Sequence, residues 1–317
     1  VIRAAWIMVA VIATATLAAD WIAPHAPWQQ FPDRAWAPPM RIHLRDASGW
    51  HAPFVYRQVL RDPITRAFDD DTTEQLPLRW FTEGRLVSVD DAHAPLLLLG
   101  ADALGRDVWS RLLHGARLSL GVALAGAAAA LWLGLWIGAA AGMWRGWPDV
   151  IISGVADLLI VLPSVYLVFL MRAAVPLTLD APAVFGLLTL LFAVAGWPHV
   201  ARGVRAVTMV EREKEYVEAA RAAGAGRWRL LRHVMPASFG FLRAEAVLLV
   251  PAFLVAESTI SYLGLGFLEP TPSWGSMLRD AASLSAMQRA PWLLTPALSL
   301  FVVVFLVQRL SRGPWRA

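Results

Sequence analysis

The 317-residue chain contains no cysteine and a single lysine, Lys214; all its other basic side chains are arginines. Without cysteine, disulfides, thiol nucleophiles and thiolate metal sites are excluded. The lone lysine excludes more. A phosphate-binding loop of the form G-x-x-x-x-G-K-[ST] needs a Lys followed by Ser or Thr, and Lys214 is followed by Glu215. The chain therefore carries no ATP site of that kind, and if ATP drives it, another subunit binds the nucleotide. Charge is scarce too: 16% of residues are charged against 57% hydrophobic, and the mean hydropathy is +0.52. That balance belongs to membrane proteins rather than soluble domains.

What is abundant is apolar sequence in runs of membrane length, about 20 residues each. Six charge-poor windows qualify: Ala4 to Ile22, Arg117 to Arg145, Val150 to Met171, Ala181 to about Val200, about Phe241 to Phe267, and Arg289 to Arg309. Helices satisfy their own backbone hydrogen bonds in lipid, so the expected architecture is an all-α membrane protein of six transmembrane helices. Pro163 and Pro251 are expected to kink or loosen helices three and five. A retained first helix is expected rather than a cleaved signal peptide. Leu17-Ala18-Ala19 is a poor cleavage site, and Ala13-Thr14-Ala15 lies within the apolar run.

Arginine bias in short loops orients the set. Arg3, Arg145, the eight Lys/Arg residues between Ala201 and Pro236, and Arg309, Arg312 and Arg316 fall on one side. Both termini and the charged loop are therefore expected to be cytoplasmic. Arg172, Arg279 and Arg289 are the dissenting minority.

The organisation that follows is a first transmembrane helix at 1–22, a periplasmic insert at 23–98, an interfacial amphipathic helix at 99–116, and a permease-like core at 117–317 with a cytoplasmic loop at 201–236. The insert is rich in proline. Leu76–Phe81 and Arg85–Val89 suggest β-hairpins within it. Asp69-Asp70-Asp71-Thr72 reads as a solvated turn rather than a cation site, which needs ligands placed around a loop. His43, His51 and His93 lack metal-ligand spacing. In the following segment Val108, Trp109, Leu112 and Leu113 share one face, with Asp107, Ser110 and Arg111 away from it, as in a helix lying at the outer interface.

The loop 201–236 is charged, helix-prone and closed by Pro236. Glu218, Ala219 and Ala220 favour a helix with close approach, and Gly224 and Gly226 supply a turn. Arg227, Arg229, Arg232 and Trp228 offer the charge and aromatic area common in interfaces. The residues alone leave a docking segment and a solvated positive-inside loop about equally open. Alternating Glu211, Glu213, Glu215 and Glu218 argue against nucleic acid. Asp157 and Glu257 lie inside apolar windows, where a charge faces a cavity or a partner. Pathway lining and helix-to-helix hydrogen bonding both remain open for them.

Three segments, in order, resemble the permeases of dipeptide, oligopeptide and nickel ABC importers. The first is Gly100, Asp102, Leu104, Gly105, Arg106, Asp107, Ser110, Arg111, Gly115, Arg117, Ser119 and Leu120, with Ala101 in place of a Thr. The second is Trp197 to Gly224, including Arg202, Arg205 and Tyr216-Val-Glu-Ala-Ala-Arg221. The third is Glu257 to Gly266 followed by Pro270-Thr-Pro-Ser-Trp-Gly275. The resemblance covers roughly residues 97 to 300 and is much weaker in the insert. It implies the type I importer arrangement of six helices, with a small Pro-rich insert between helices one and two. It also implies an inner-membrane location, no catalytic or metal site on this chain, and ATP and Mg²⁺ held elsewhere. The implied partners are a homologous permease in a heterodimer, two cytoplasmic ATPases, an extracytoplasmic solute-binding protein and membrane lipid. Tyr216, Glu218, Ala219, Ala220, Arg221, Gly224, Arg227 and Pro236 become the ATPase-coupling residues. Asp157, Glu257 and Ser261 remain pathway or packing candidates. The chain departs from the pattern in a Gly224-to-Pro236 spacing one residue short, in Ser258 and Ile260, and in its tail. The rival from another class is an ion-coupled secondary transporter using Asp157 and Glu257.

Overall fold

The computed structural model describes residues 2–46, 49–82, 84–89, 94–144, 146–161, 176 and 179–311. Two compact units emerge, 1–119 with 258–306 and 120–257 with 307–317.

The first unit opens with helix α1 (Ile2–Leu17) and the short α2 (Ala19–Ile22), so the first apolar window is broken at Ala18 rather than continuous. A four-stranded antiparallel sheet follows in the order β1 (His43–Asp46), β2 (Gly49–Asp62), β3 (Ala67–Thr82) and β4 (Arg85–Val89). The all-α expectation thus fails in the insert, while the two hairpin pieces fall within β3 and β4. The β2–β3 turn is closed by the Asp62 carboxylate, which accepts from the Ile64 amide at 2.8 Å and the Thr65 hydroxyl at 2.7 Å. Asp69, Asp70 and Asp71 are not in a turn; they pair with Val59, Gln58 and Arg57 along β3. Alternation sends Leu76 and Leu78 inward, where they meet Val55, Val87, Met40, Leu96 and Leu97 in one buried cluster.

Helix α3 (Val108–Met143) begins in this unit. No separate interfacial helix at 99–116 exists: residues 99–107 are loop, and α3 runs without a break from Val108 into the apolar run. Its first turn is capped by the Asp107 carboxylate, which accepts from the amides of Trp109 (3.2 Å) and Ser110 (3.1 Å) and from the Ser110 hydroxyl (2.5 Å).

The second unit contains most of α3, α4 (Trp147–Val161), α5 (Ala181–Glu211), α6 (Glu215–Ala222), α7 (Arg227–Val234) and most of α8 (Phe239–Tyr262). Helix α5 starts on an Asp180 cap and continues eleven residues beyond the expected end at Val200. Gly134, Gly138 and Gly142, one turn apart on α3, let α5 approach closely. A Cβ on Gly138 would lie 2.3 Å from the Ala201 carbonyl oxygen, and one on Gly134 would lie 2.4 Å from the Val200 Cβ. Such small-xxx-small seams are a common way for membrane helices to pack. Phe192 of α5 stacks on Phe253 of α8 at 4.8 Å. Helix α8 is unbroken across Pro251.

The remaining elements are α9 (Trp274–Ala281), α10 (Leu284–Arg289) and α11 (Thr295–Ser311). Among the described residues, four helical stretches are long and apolar enough to cross a membrane: Val108–Met143, Ala181–Glu211, Arg227–Tyr262 and Pro291–Leu310. The expected third span is described only to Val161, and Pro163, His93, Arg145 and Arg172 lie outside the described residues.

Candidate functional site

The charged loop folds into two short helices. Where α5 ends, the Arg212 guanidinium turns back to donate to the last carbonyls of α3, Gly142 at 3.1 Å and Met143 at 3.2 Å. Cationic donors suit a helix C-terminus. Glu211 then gathers the Lys214 ammonium at 2.7 Å and the Tyr216 hydroxyl at 2.9 Å. Desolvation and then the hydrogen bond to Glu211 push the Tyr216 phenol up.

Helix α6 carries Glu215 and Glu218 in its first turn and Arg221 in its last, matching its dipole. It ends in a double closure. The Ala225 amide donates to the Ala220 carbonyl and the Gly224 amide to the Arg221 carbonyl, both at 3.0 Å, with Gly224 at φ +84°. This left-handed ending is glycine's usual place. Only Val217 of α6 is buried; Tyr216, Glu218, Ala219, Arg221 and Gly224 are exposed and Ala220 is half-buried.

Helix α7 is amphipathic. Leu230, Leu231 and Val234 are buried, while Arg227, Arg229 and Arg232 face outward. Trp228 stacks on Trp136 of α3 at 5.7 Å and on Trp144, just past the end of α3, at 6.4 Å, and the Arg232 guanidinium lies 5.5 Å from its ring centre. Pro236 does not stop the segment as expected. It occupies the first turn of a 3₁₀ stretch, Met235–Ser238, that leads directly into α8, a position where its missing N–H costs nothing.

The intramembrane candidates have contrasting surroundings. Asp157 is exposed and paired with Arg202, while one turn pair away Asp149 takes Arg205 in a two-bond fork at 2.5 and 2.7 Å. Glu257 is fully buried. Ser261 is also buried and accepts the Phe267 amide at 3.3 Å. Its side chain packs where Gly275 passes, since a Cβ on Gly275 would lie 2.7 Å from the Ser261 Cβ and 2.2 Å from the Ser258 carbonyl oxygen.

The sequence reading missed a buried charge cluster in the first unit. Asp102, held by its own Asx turn to the amides of Leu104 (2.9 Å) and Arg106 (3.0 Å), accepts Arg106 Nε at 2.7 Å. Arg106 also reaches Glu269 and, at 3.2 Å, Asp280. Arg111, almost fully buried, contacts Glu269 at 3.0 Å, Asp280 at 3.4 Å and Asp102 at 3.6 Å. Burial raises the Glu269 carboxyl, but the hydrogen bond and charge of Arg111, with Arg106 behind it, bring it net below its ordinary range. Burial outweighs the two arginines at Asp280 and leaves its carboxyl raised. Asp107, wholly buried beside the cluster, is pushed up by desolvation to about 6. The polar side of this segment therefore faces inward, the reverse of the expected interfacial helix. Neutralising partners 158 or more residues away make that possible. Among the described residues no group of His, Asp and Glu is disposed to hold a metal ion.

Residues 134–312 match the family described as binding-protein-dependent transport system inner membrane component. The chain belongs to that family. It is a transmembrane permease subunit of an ABC importer, and this family transports rather than catalyses. The glutathione transport system permease protein GsiD of Pectobacterium atrosepticum is 29% identical over 90% of this chain and 89% of its own. The oligopeptide transport system permease protein OppC of Bacillus subtilis is 35% identical over 71% of this chain and 72% of its own; that of Haemophilus influenzae is 36% identical over 73% of each. A chain of the inward-facing MetNI methionine ABC transporter superposes with a TM-score of 0.51 at 17% identity, covering 65% of this permease and 94% of that chain. That likeness concerns the fold alone.

Proposed function

We propose that this permease forms half of a heterodimeric pathway with a related subunit, and that α6 and α7 seat on cytoplasmic ATPases. The observation that carries the reading is the surface of α6. Tyr216, Glu218, Ala219, Arg221 and Gly224 are exposed while Val217 anchors the helix from beneath. A Cβ on Gly224 would meet nothing within 4 Å, so its bare backbone serves the left-handed helix end and the outer surface, not packing inside the chain. Ala220 and Arg227 border that surface, and Pro236 carries the segment into α8. ATP and Mg²⁺ belong to the partners and supply the free energy; this chain's part is to receive it at α6 and α7 and repack its spans between outward and inward access.

The solute is assigned to the peptide class, delivered by an extracytoplasmic binding protein, on the strength of the glutathione and oligopeptide permeases above. Six spans follow if α1 with α2 and the third apolar window, in which α4 lies, are added to the four long apolar stretches. The arginine distribution supports cytoplasmic termini in a bacterial inner membrane. Packing, rather than pathway lining, suits Asp157, whose charge is answered by Arg202, and Ser261, which is closed in by Gly275; the fully buried Glu257 is grouped with them.

Gly224→Asp tests the coupling role, because Asp tolerates left-handed backbone yet adds a charged side chain to the surface. ATP-dependent uptake should be abolished with membrane insertion and subunit assembly intact. Normal uptake would refute the assignment. The purified chain alone in liposomes should move no solute down an ion gradient; if it does, the secondary-transporter alternative is correct.

A further inference from the structure

The transport reading leaves unused an aromatic tip on the insert. At the end of β3, Phe81 is 69% exposed and Trp80 is 48% exposed. Phe81 also sits at φ +58°, a left-handed backbone setting that disfavours a side chain of its size. The hairpin holds it there through the pairs Trp80↔Val87 and Thr82↔Arg85 and the Thr82–Ser88 hydroxyl bond at 2.6 Å. Inward-facing Leu76 and Leu78 are covered by the sheet's core. Trp80 is next on that face but projects beyond the core, and the left-handed step at Phe81 turns its ring outward.

The ring's neighbour fixes where the tip lies. Phe81 is 5.8 Å from Trp21, in α2 at the end of apolar α1. That helix exposes Trp6, Ile7, Val11 and Leu17, side chains that a spanning helix presents to acyl chains. A tryptophan closing such a helix belongs at the headgroup level, and the hairpin tip shares its height. Arg79 on β3, exposed, and Arg85 on β4, half-buried, bring positive charge beside the rings. Aromatic rings flanked by arginine complement a layer of ester and phosphate groups.

We propose that Trp80, Phe81 and Trp21 form a membrane anchor, inserted in the headgroup region of the leaflet on the insert's side. This anchor ties the β-sheet to the bilayer; the proposal rests on the reading of α1 as a span. The partner is phospholipid, recognised through its interfacial zone and its phosphates.

The absence of cysteine makes the test direct. Single-cysteine variants Trp80→Cys, Phe81→Cys, Ile64→Cys and Val11→Cys would be nitroxide-labelled in the assembled transporter, in nanodiscs of phosphatidylethanolamine and phosphatidylglycerol. Accessibility to oxygen and to a water-soluble nickel chelate then reports depth. Labels at 80 and 81 should favour oxygen at headgroup depth. The label at Ile64, 87% exposed at the β2–β3 turn, should read as aqueous. Labels at 80 and 81 as open to nickel as the one at 64, or shielded from both probes by protein, would overturn the anchor. A Val11 label that fails to read deep would instead refute α1 as a span, a separate failure.

Discussion

Replacing Arg111 with Met isolates what the buried cluster contributes. The side chain is almost completely enclosed and lies 3.0, 3.4 and 3.6 Å from Glu269, Asp280 and Asp102. Its loss leaves three carboxylates facing Arg106 alone. Removing one partner of a buried ion pair costs about 3–5 kcal/mol, because the survivors stay desolvated without compensation. Here Glu269 is 37% and Asp280 28% exposed, so water screens part of the deficit and the lower end, about 3 kcal/mol, is expected. For the unit formed by 1–119 with 258–306 that is a fall in melting temperature of roughly 6–12 °C, read by tryptophan fluorescence at fixed scan rate in detergent. The pH dependence supplies a second readout. In the wild type, Glu269 is held below its ordinary value, so its stabilisation is present above about pH 4.5 and lost as pH falls through its folded pKa. Without Arg111 burial dominates and the carboxyl moves up, so acidification should now stabilise. The deficit should therefore be smaller at pH 5 than at pH 8. A variant melting with the wild type, or a deficit that grows on acidification, would refute the reasoning.

Asp107 gives a related expectation of opposite origin. Its folded value near 6 lies above the ordinary 3.8, so its contribution is full below about pH 3.8 and lost as pH rises through 6. Wild-type stability should rise as pH falls from 7 to 4 relative to Asp107→Asn, by at most about 3 kcal/mol; a parallel pH profile would exclude the buried-acid account. Gly138→Val should disrupt the α3–α5 seam, since even a Cβ meets the Ala201 carbonyl oxygen at 2.3 Å. Backbone must move, so a loss of 2 kcal/mol or more is expected, visible as aggregation on size exclusion; a monodisperse variant of unchanged melting temperature would contradict the close approach.

The elements whose signal is local were legible in the sequence. Apolar runs located the cores of α5, α8 and α11, and β-rich pieces located parts of β3 and β4. The glutamate-alanine stretch and Gly224 marked a helix and its end. What escaped depends on partners far along the chain. Asp69, Asp70 and Asp71 look like a turn until β2 supplies the strand beside them. Asp107, Ser110 and Arg111 look solvent-facing by helix periodicity; Arg111 is inside because Glu269 and Asp280 meet it, while Asp107 and Ser110 satisfy each other at the start of α3. The spacing Asp102, Arg106, Arg111 was visible, but not its closure. The Gly134, Gly138, Gly142 repeat was equally visible, and its four-residue period was the cue to a packing seam.

The Trp136–Trp228–Trp144 stack has an optical consequence. Three indoles with centroid separations of 5.7 and 6.4 Å and planes within 18° and 20° of parallel are close enough for their electronic transitions to mix. The near-ultraviolet circular dichroism should carry an exciton-type signal from one aromatic on α7, one on α3 and one just past the end of α3. Its intensity would follow any sliding of α7 against α3, giving the native, unlabelled chain an optical gauge of the segment that addresses its partners.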